Sequence, residues 1–130
     1  MVVDGYAVIH YTEPRYTKDL DVLVEPSQTN ARRVHAALTD FVGRLESIDP
    51  TTLAEPGLWL KLGRAPARID ILTSIRGVRF ETAWRNRLKA RYDDLRVNFI
   101  SRRDLMRNKR AVARPQDLID LDNLRLAGSS

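Results

Sequence analysis

The chain has 130 residues, 43% of them hydrophobic and 30% charged, a size and balance that suit one soluble globular domain with a single core and exclude a disordered chain. Cysteine is absent, which excludes disulfides, thiolate metal sites and a cysteine nucleophile, and the two histidines, His10 and His35, lack zinc-ligand spacing. The net charge of +5 favours polyanions such as nucleotides, tRNA or an acidic partner, with solvated helix faces as the plainer account of most arginines.

The spacing predicts the following elements in chain order. Met1 to Val3 reads as the end of a strand, and Gly5 opens a short helical segment through Tyr11. Thr12 to Tyr16, with Pro14, is a loop. Leu20 to Val24 alternates as a strand. Ser27 is placed to cap a helix with an apolar stripe of Val34, Leu38, Phe41 and Val42. Asp49 to Pro56 is loop-like. Leu58 to Leu62 and Ala67 to Leu72 alternate as a hairpin turning at Gly63 to Pro66. Phe80 to Lys89 reads as a helix with Phe80, Ala83, Trp84 and Leu88 on one side, and Arg96 to Ile100 as a strand. Ser101 caps the next helix, with Asp104 at its third position in the manner of a capping box. Arg114-Pro115 ends that helix and starts a last one through Leu126. The sum is one α+β domain over residues 1–130: a small mixed sheet flanked by helices, two of them C-terminal. No apolar run is long enough for a membrane span and no secretory leader is visible, which fits a cytoplasmic protein.

Asp19 and Asp21 stand two apart in the strand-like run K-D-L-D-V-L-V, so both carboxylates leave the same side. Like charges held that close repel unless a cation lies between them, and Mg²⁺ prefers one or two carboxylates plus substrate phosphates. The competing account is a solvated strand edge. Asp70, in R-I-D-I-L, is one acid in an apolar strand, a costly position unless paired or metal-bound. If that strand lies beside Leu20 to Val24, three carboxylates share one face, and three carboxylates around two Mg²⁺ ions suit phosphoryl transfer. The competing account is a surface pair of Asp70 with Arg68 or Arg64. Trp59 and Trp84, on apolar periodic stretches, read as core rather than as stacking platforms, and His10 as a packing or hydrogen-bonding residue.

The run G-Y-A-V-I-H-Y-T-E-P-R-Y-T-K-D-L-D-V-L-V resembles the signature of the nucleotidyltransferase superfamily that includes DNA polymerase beta, and more closely its small bacterial members of the abortive-infection and toxin–antitoxin type. The match carries over to Gly5, Arg15, Asp19 and Asp21. The later strand acid of the family matches Asp70 in R-I-D-I-L-T-S, and S-I-R-G-V-R-F-E-T-A-W is similar to the segment that follows. K-R-A-V-A-R-P-Q-D-L-I-D-L is similar to a K…R-x-x-D-x-x-D-L element, matching Lys109, Arg114, Asp117 and Asp120. The resemblance implies two Mg²⁺ ions held by Asp19, Asp21 and Asp70. It also implies a triphosphate met by Gly5 at a helix N-terminus, by Arg15 or Lys18, and by Lys109, which reads equally as a solvated helix lysine. Asp117 and Asp120 read as partners of Arg114 or Arg110. The implied substrates are an NTP and a hydroxyl of a protein, an RNA or a small molecule, with a partner protein encoded by a neighbouring gene.

Relatives carry Gly-Gly or Gly-Ser where this chain has Asp4-Gly5, a glycine where Tyr11 stands, and a helix and full strand before the glycine turn. A truncated start, or an edge supplied by a partner chain such as a second copy, accounts for the short lead-in, since an exposed strand stub is a pairing site. The departures motivate a second reading: a catalytically degenerate module that binds nucleotide, RNA or a toxin–antitoxin partner through its basic surface. A DNA binder built from the last two helices is disfavoured by Asp117, Asp120 and Asp122.

Overall fold

Alternation with a period of two sorts the side chains of the central strands onto two unlike faces, and the fold is built around that division. The computed structural model describes residues 1–43, 48–64 and 66–128. Among them the elements are β1 (Val2–Val3), α1 (Asp4–Tyr11), β2 (Leu20–Leu23), α2 (Gln28–Val42), a 3-10 turn (Pro50–Ala54), β3 (Trp59–Arg64), β4 (Ala67–Leu72), α3 (Phe80–Arg85), β5 (Leu88–Tyr92), β6 (Leu95–Phe99), α4 (Arg102–Val112) and α5 (Pro115–Gly128). The strands form one mixed sheet in the order β3-β4-β2-β1-β6-β5. β2 runs parallel to β4 and β1 parallel to β6; the other pairs are antiparallel.

The register fixes which residues share a face. Leu20 lies opposite Ile69 and Val22 opposite Ile71, while Leu60 and Leu62 on β3 face the same two isoleucines. These side chains make the apolar face, covered by Ala31 and Leu38 of α2 and by Leu53 of the 3-10 turn. Burying one such leucine contributes about 1.5–3 kcal/mol. The alternate positions make the other face. Asp21 lies opposite Asp70, which lies opposite Lys61. Further along this face, Val3 and Leu23 pack with Ala7 and Val8 of α1, Leu105 of α4 and Leu124 of α5. Helices therefore cover one part of the polar face and leave the acids beside them.

Capping follows the expected chemistry. Ser27 accepts from the Asn30 backbone N–H, and Ser101 accepts from that of Asp104 while its hydroxyl donates to the Asp104 carboxylate. Pro115 is the first residue of α5. No helix among the described residues is long and apolar enough to cross a membrane.

Several expectations need correction. The helix predicted over Phe80 to Lys89 stops at Arg85, and Leu88–Tyr92 is a strand paired with β6. Leu88 falls one helical step beyond Trp84, so four residues mimic a helical stripe that the β5–β6 ladder overrides. The α2 stripe is Ala31, Val34 and Leu38; Phe41 is exposed. The loop predicted at Asp49 to Pro56 contains the 3-10 turn, capped by the Asp49 side chain on Thr51. β3 runs on through Arg64, so part of the predicted Gly63 to Pro66 turn is strand, and Ala65 lies outside the described residues. Trp59 and Trp84 are not core: they are 59% and 38% exposed. β1 is no exposed stub, being paired with β2 on one side and β6 on the other.

Candidate acidic cleft

The three predicted carboxylates line one cleft. Parallel pairing of β2 with β4 sets Asp21 directly opposite Asp70, and Asp19, two residues earlier, enters the same cleft. That cleft has a volume of about 820 Å³, and Lys18, Trp59, Lys61, Arg76 and Arg114 also line it. Asp70 is 3% exposed although its neighbours in β4 are apolar. The competing account of Asp70, a pair with Arg68 or Arg64, is replaced by another arrangement. Arg68 turns to Asp19, with 3.8 Å between Nε and Oδ1, and Lys61 lies between Asp19 and Asp70, its Nζ 3.7 Å and 3.6 Å from their Oδ2 atoms. These distances are too long for hydrogen bonds. Asp19 Oδ1 is buried with no hydrogen-bond partner among the described residues. Burial first, then the charge of Asp4 and the adjoining Asp70 carboxyl, push the Asp21 pKa up to about 8.

The predicted phosphate-side residues gather in a second hollow, of about 420 Å³, lined by Gly5, Arg15, Lys18 and Lys109. The two hollows share Asp4, Thr17, Lys18 and Arg114 as lining residues. Lys18 is exposed, whereas the others carry internal contacts. A Cβ on Gly5 would overlap the Thr17 side chain, so glycine here permits close approach of α1 to the loop before β2. Arg15 donates to Asp120 at 2.9 Å.

Lys109 is 1% exposed and is therefore no solvated helix lysine. Its ammonium reaches Asp4, Asp117 at 3.0 Å and Asp120 at 3.1 Å. Arg114 donates to Asp117 at 2.7 Å, and Gln116 to Asp120 at 3.0 Å. The carboxylates of Asp4, Asp117 and Asp120 come within 4.8 Å of one another, close enough to hold a metal ion, but the Lys109 ammonium supplies the positive charge there. Burial alone would lower the Lys109 pKa; the surrounding carboxylates, Asp4 foremost, outweigh it and raise it. Burial likewise opposes the Asp117 charge, and hydrogen bonds from Arg114 and Lys109 bring its pKa below the usual value. Asp4 starts α1 with φ 55°, a left-handed conformation that aspartate tolerates better than most residues. The predicted Asp117–Arg114 pair forms, while Asp120 pairs with Arg15 and Lys109 rather than with Arg110. His10 packs as expected, stacked on Phe99 with centroids 4.3 Å apart and hydrogen-bonded to Tyr92.

Sequence reasoning missed Lys61, which is near two of the three acids, and the exposure of Trp59 beside it. The signal was present: Trp59, Lys61 and Gly63 alternate with Leu58, Leu60 and Leu62, which marks them as the side of β3 away from the apolar core. The sequence matches no protein-family model and no curated protein.

Proposed function

We propose that the chain is a Mg²⁺-dependent nucleotidyltransferase that moves a nucleoside monophosphate from an NTP to an acceptor hydroxyl, as the resemblance to the polymerase-beta-like superfamily implies. One observation supports the reading: Asp21 and Asp70 face each other on paired strands, and Asp19, just before β2, lines the same cleft, which has room for a nucleotide. The donor set fits a hard divalent cation. It is all oxygen, one buried carboxylate oxygen of Asp19 has no hydrogen-bond partner among the described residues, and burial first, then Asp4 and Asp70, disfavour the charge on Asp21, while Lys61 and Arg68 stand 3.6–3.8 Å from Asp19 and Asp70. Asp19, Asp21 and Asp70 would hold the metal, which supplies charge neutralisation at the transferring phosphoryl group and acidifies a bound hydroxyl.

The protein's own groups do the rest. Lys18, exposed on the wall common to both hollows, meets the phosphates as a point charge. Arg15 and Lys109 act from behind, by fixing Asp120, Asp117 and Asp4 and so holding α1 and α5 against the cleft. Asp70, fixed on a central strand, accepts the proton of the acceptor hydroxyl.

The second reading, a binding module without turnover, is favoured by the engagement of Arg15 and Lys109 in internal ion pairs. Isothermal titration with each of the four NTPs, in Mg²⁺ and then in EDTA, tests both readings when combined with pyrophosphate detection. The transferase reading expects metal-dependent binding and pyrophosphate release, both lost in Asp19→Asn/Asp21→Asn with the fold intact. Salt-sensitive binding that is unchanged by EDTA, without pyrophosphate release, supports the module, and metal-dependent binding counts against it. Full turnover in the double variant refutes the metal site.

A further inference from the structure

The cleft has an aromatic end. Trp59 opens β3 as an exposed residue, yet it lines the same cleft as the three carboxylates. The antiparallel register puts Trp59 opposite Leu72 and Lys61 opposite Asp70, so the indole sits two residues, about 7 Å of strand, from the acids on the same face. Gly57, Leu72, Ser74 and Ile75 also line the cleft. The Lys61 ammonium lies 4.8 Å from the centroid of the Trp59 ring and close to Asp19 and Asp70. One cation thus stands between the indole ring and the carboxylates.

A nucleoside triphosphate has the same order of chemistry: a flat π-face, then an anionic tail that needs cations. We infer that Trp59 is the stacking platform for the nucleobase of the NTP, with Lys61 at the junction of base and phosphate ends. This inference rests on the nucleotidyltransferase reading and adds the means by which the base is held. Stacking on an indole is available to every base, so the site accepts all four with a preference for the larger purines. Removing the ring weakens binding by about 5- to 150-fold, the range set by base–aromatic stacking.

The test uses Trp84→Phe as background, leaving Trp59 the sole tryptophan. Trp59 fluorescence and calorimetry follow titration with Mg·ATP, Mg·CTP and Mg·tripolyphosphate, the last a probe with phosphates and no base. The inference expects quenching by both nucleotides, stronger with ATP, and little by tripolyphosphate. Trp59→Ala should weaken ATP at least fivefold while leaving tripolyphosphate affinity unchanged, and Trp59→Phe should recover part of the loss. Equal ATP affinity in Trp59→Ala and its parent overturns the stacking role alone and leaves the metal–phosphate reading standing. Equal weakening of ATP and tripolyphosphate assigns Trp59 to the shape of the cleft and also overturns stacking. Absence of binding by either probe overturns both inferences together.

Discussion

Replacing Asp21 by asparagine should make the protein more stable at alkaline pH and leave it unchanged at acid pH. The carboxyl ordinarily titrates near 3.8 and is pushed up to about 8, by burial first and by Asp4 and Asp70 next. For an acid raised in this way, the native state keeps a proton that the unfolded chain releases between about pH 4 and pH 8. Wild-type stability therefore falls as pH rises through that window. A displacement of about four units corresponds to roughly 5–6 kcal/mol at its upper limit. The cleft is open to water, and screening there reduces the effect to about 2–3 kcal/mol. Asparagine carries no ionisable proton, so Asp21→Asn is spared this loss. Denaturant unfolding followed by circular dichroism, at half-unit steps from pH 4 to 8.5, should show two curves that coincide at the acid end and diverge by about 2–3 kcal/mol at the alkaline end. Saturating Mg²⁺ should close the gap by raising the wild type alone. Parallel curves across the whole range would refute the burial of the Asp21 carboxyl beside Asp4 and Asp70.

Lys109→Met leaves Asp4, Asp117 and Asp120 without their shared ammonium; a loss of about 3–5 kcal/mol at pH 7 is expected in the same unfolding assay. Gly5→Ala drives a methyl into Thr17 and should destabilise by about 1–3 kcal/mol, with part of the loss recovered when Thr17 is also cut to alanine. Ser101→Ala removes the cap of α4 and its bond to Asp104, for a loss of about 1 kcal/mol in thermal or chemical unfolding.

Local chemistry was the part of this molecule most readable from its sequence. Ser27, Ser101 and Pro115 mark helix starts because a cap or a fixed φ acts within a few residues. Asp70 was legible because a lone acid between Ile69 and Ile71 needs a reason, and its meeting with Asp21 required only that β2 and β4 be neighbours. β5 was not legible: its run from Leu88 to Tyr92 gains its identity from the ladder with β6, which no short window contains. Trp59 misled for a related reason. It stands beside Leu58 and Leu60, and only the register shows that it turns away from them. The Lys109 cage was beyond reach for a further reason. A buried lysine and a solvated one look the same in sequence, and its partner Asp4 lies at the far end of the chain.

That separation bears on how the molecule folds. The Lys109–Asp4 and Arg15–Asp120 pairs each join residues 105 positions apart. Closing so large a loop is entropically unfavourable until the intervening elements have condensed, and such contacts slow folding relative to local ones. The α2 half of the sheet, with β2, β3 and β4 drawn from one continuous stretch, can form its apolar face before the last two helices dock. The ion pairs that border the acidic cleft close only when α1 and α5 are both in place. During synthesis the ribosome must release residues through Asp120 before that residue can meet Arg15, so a nascent chain displays its three cleft carboxylates well before it can hold them in their final setting.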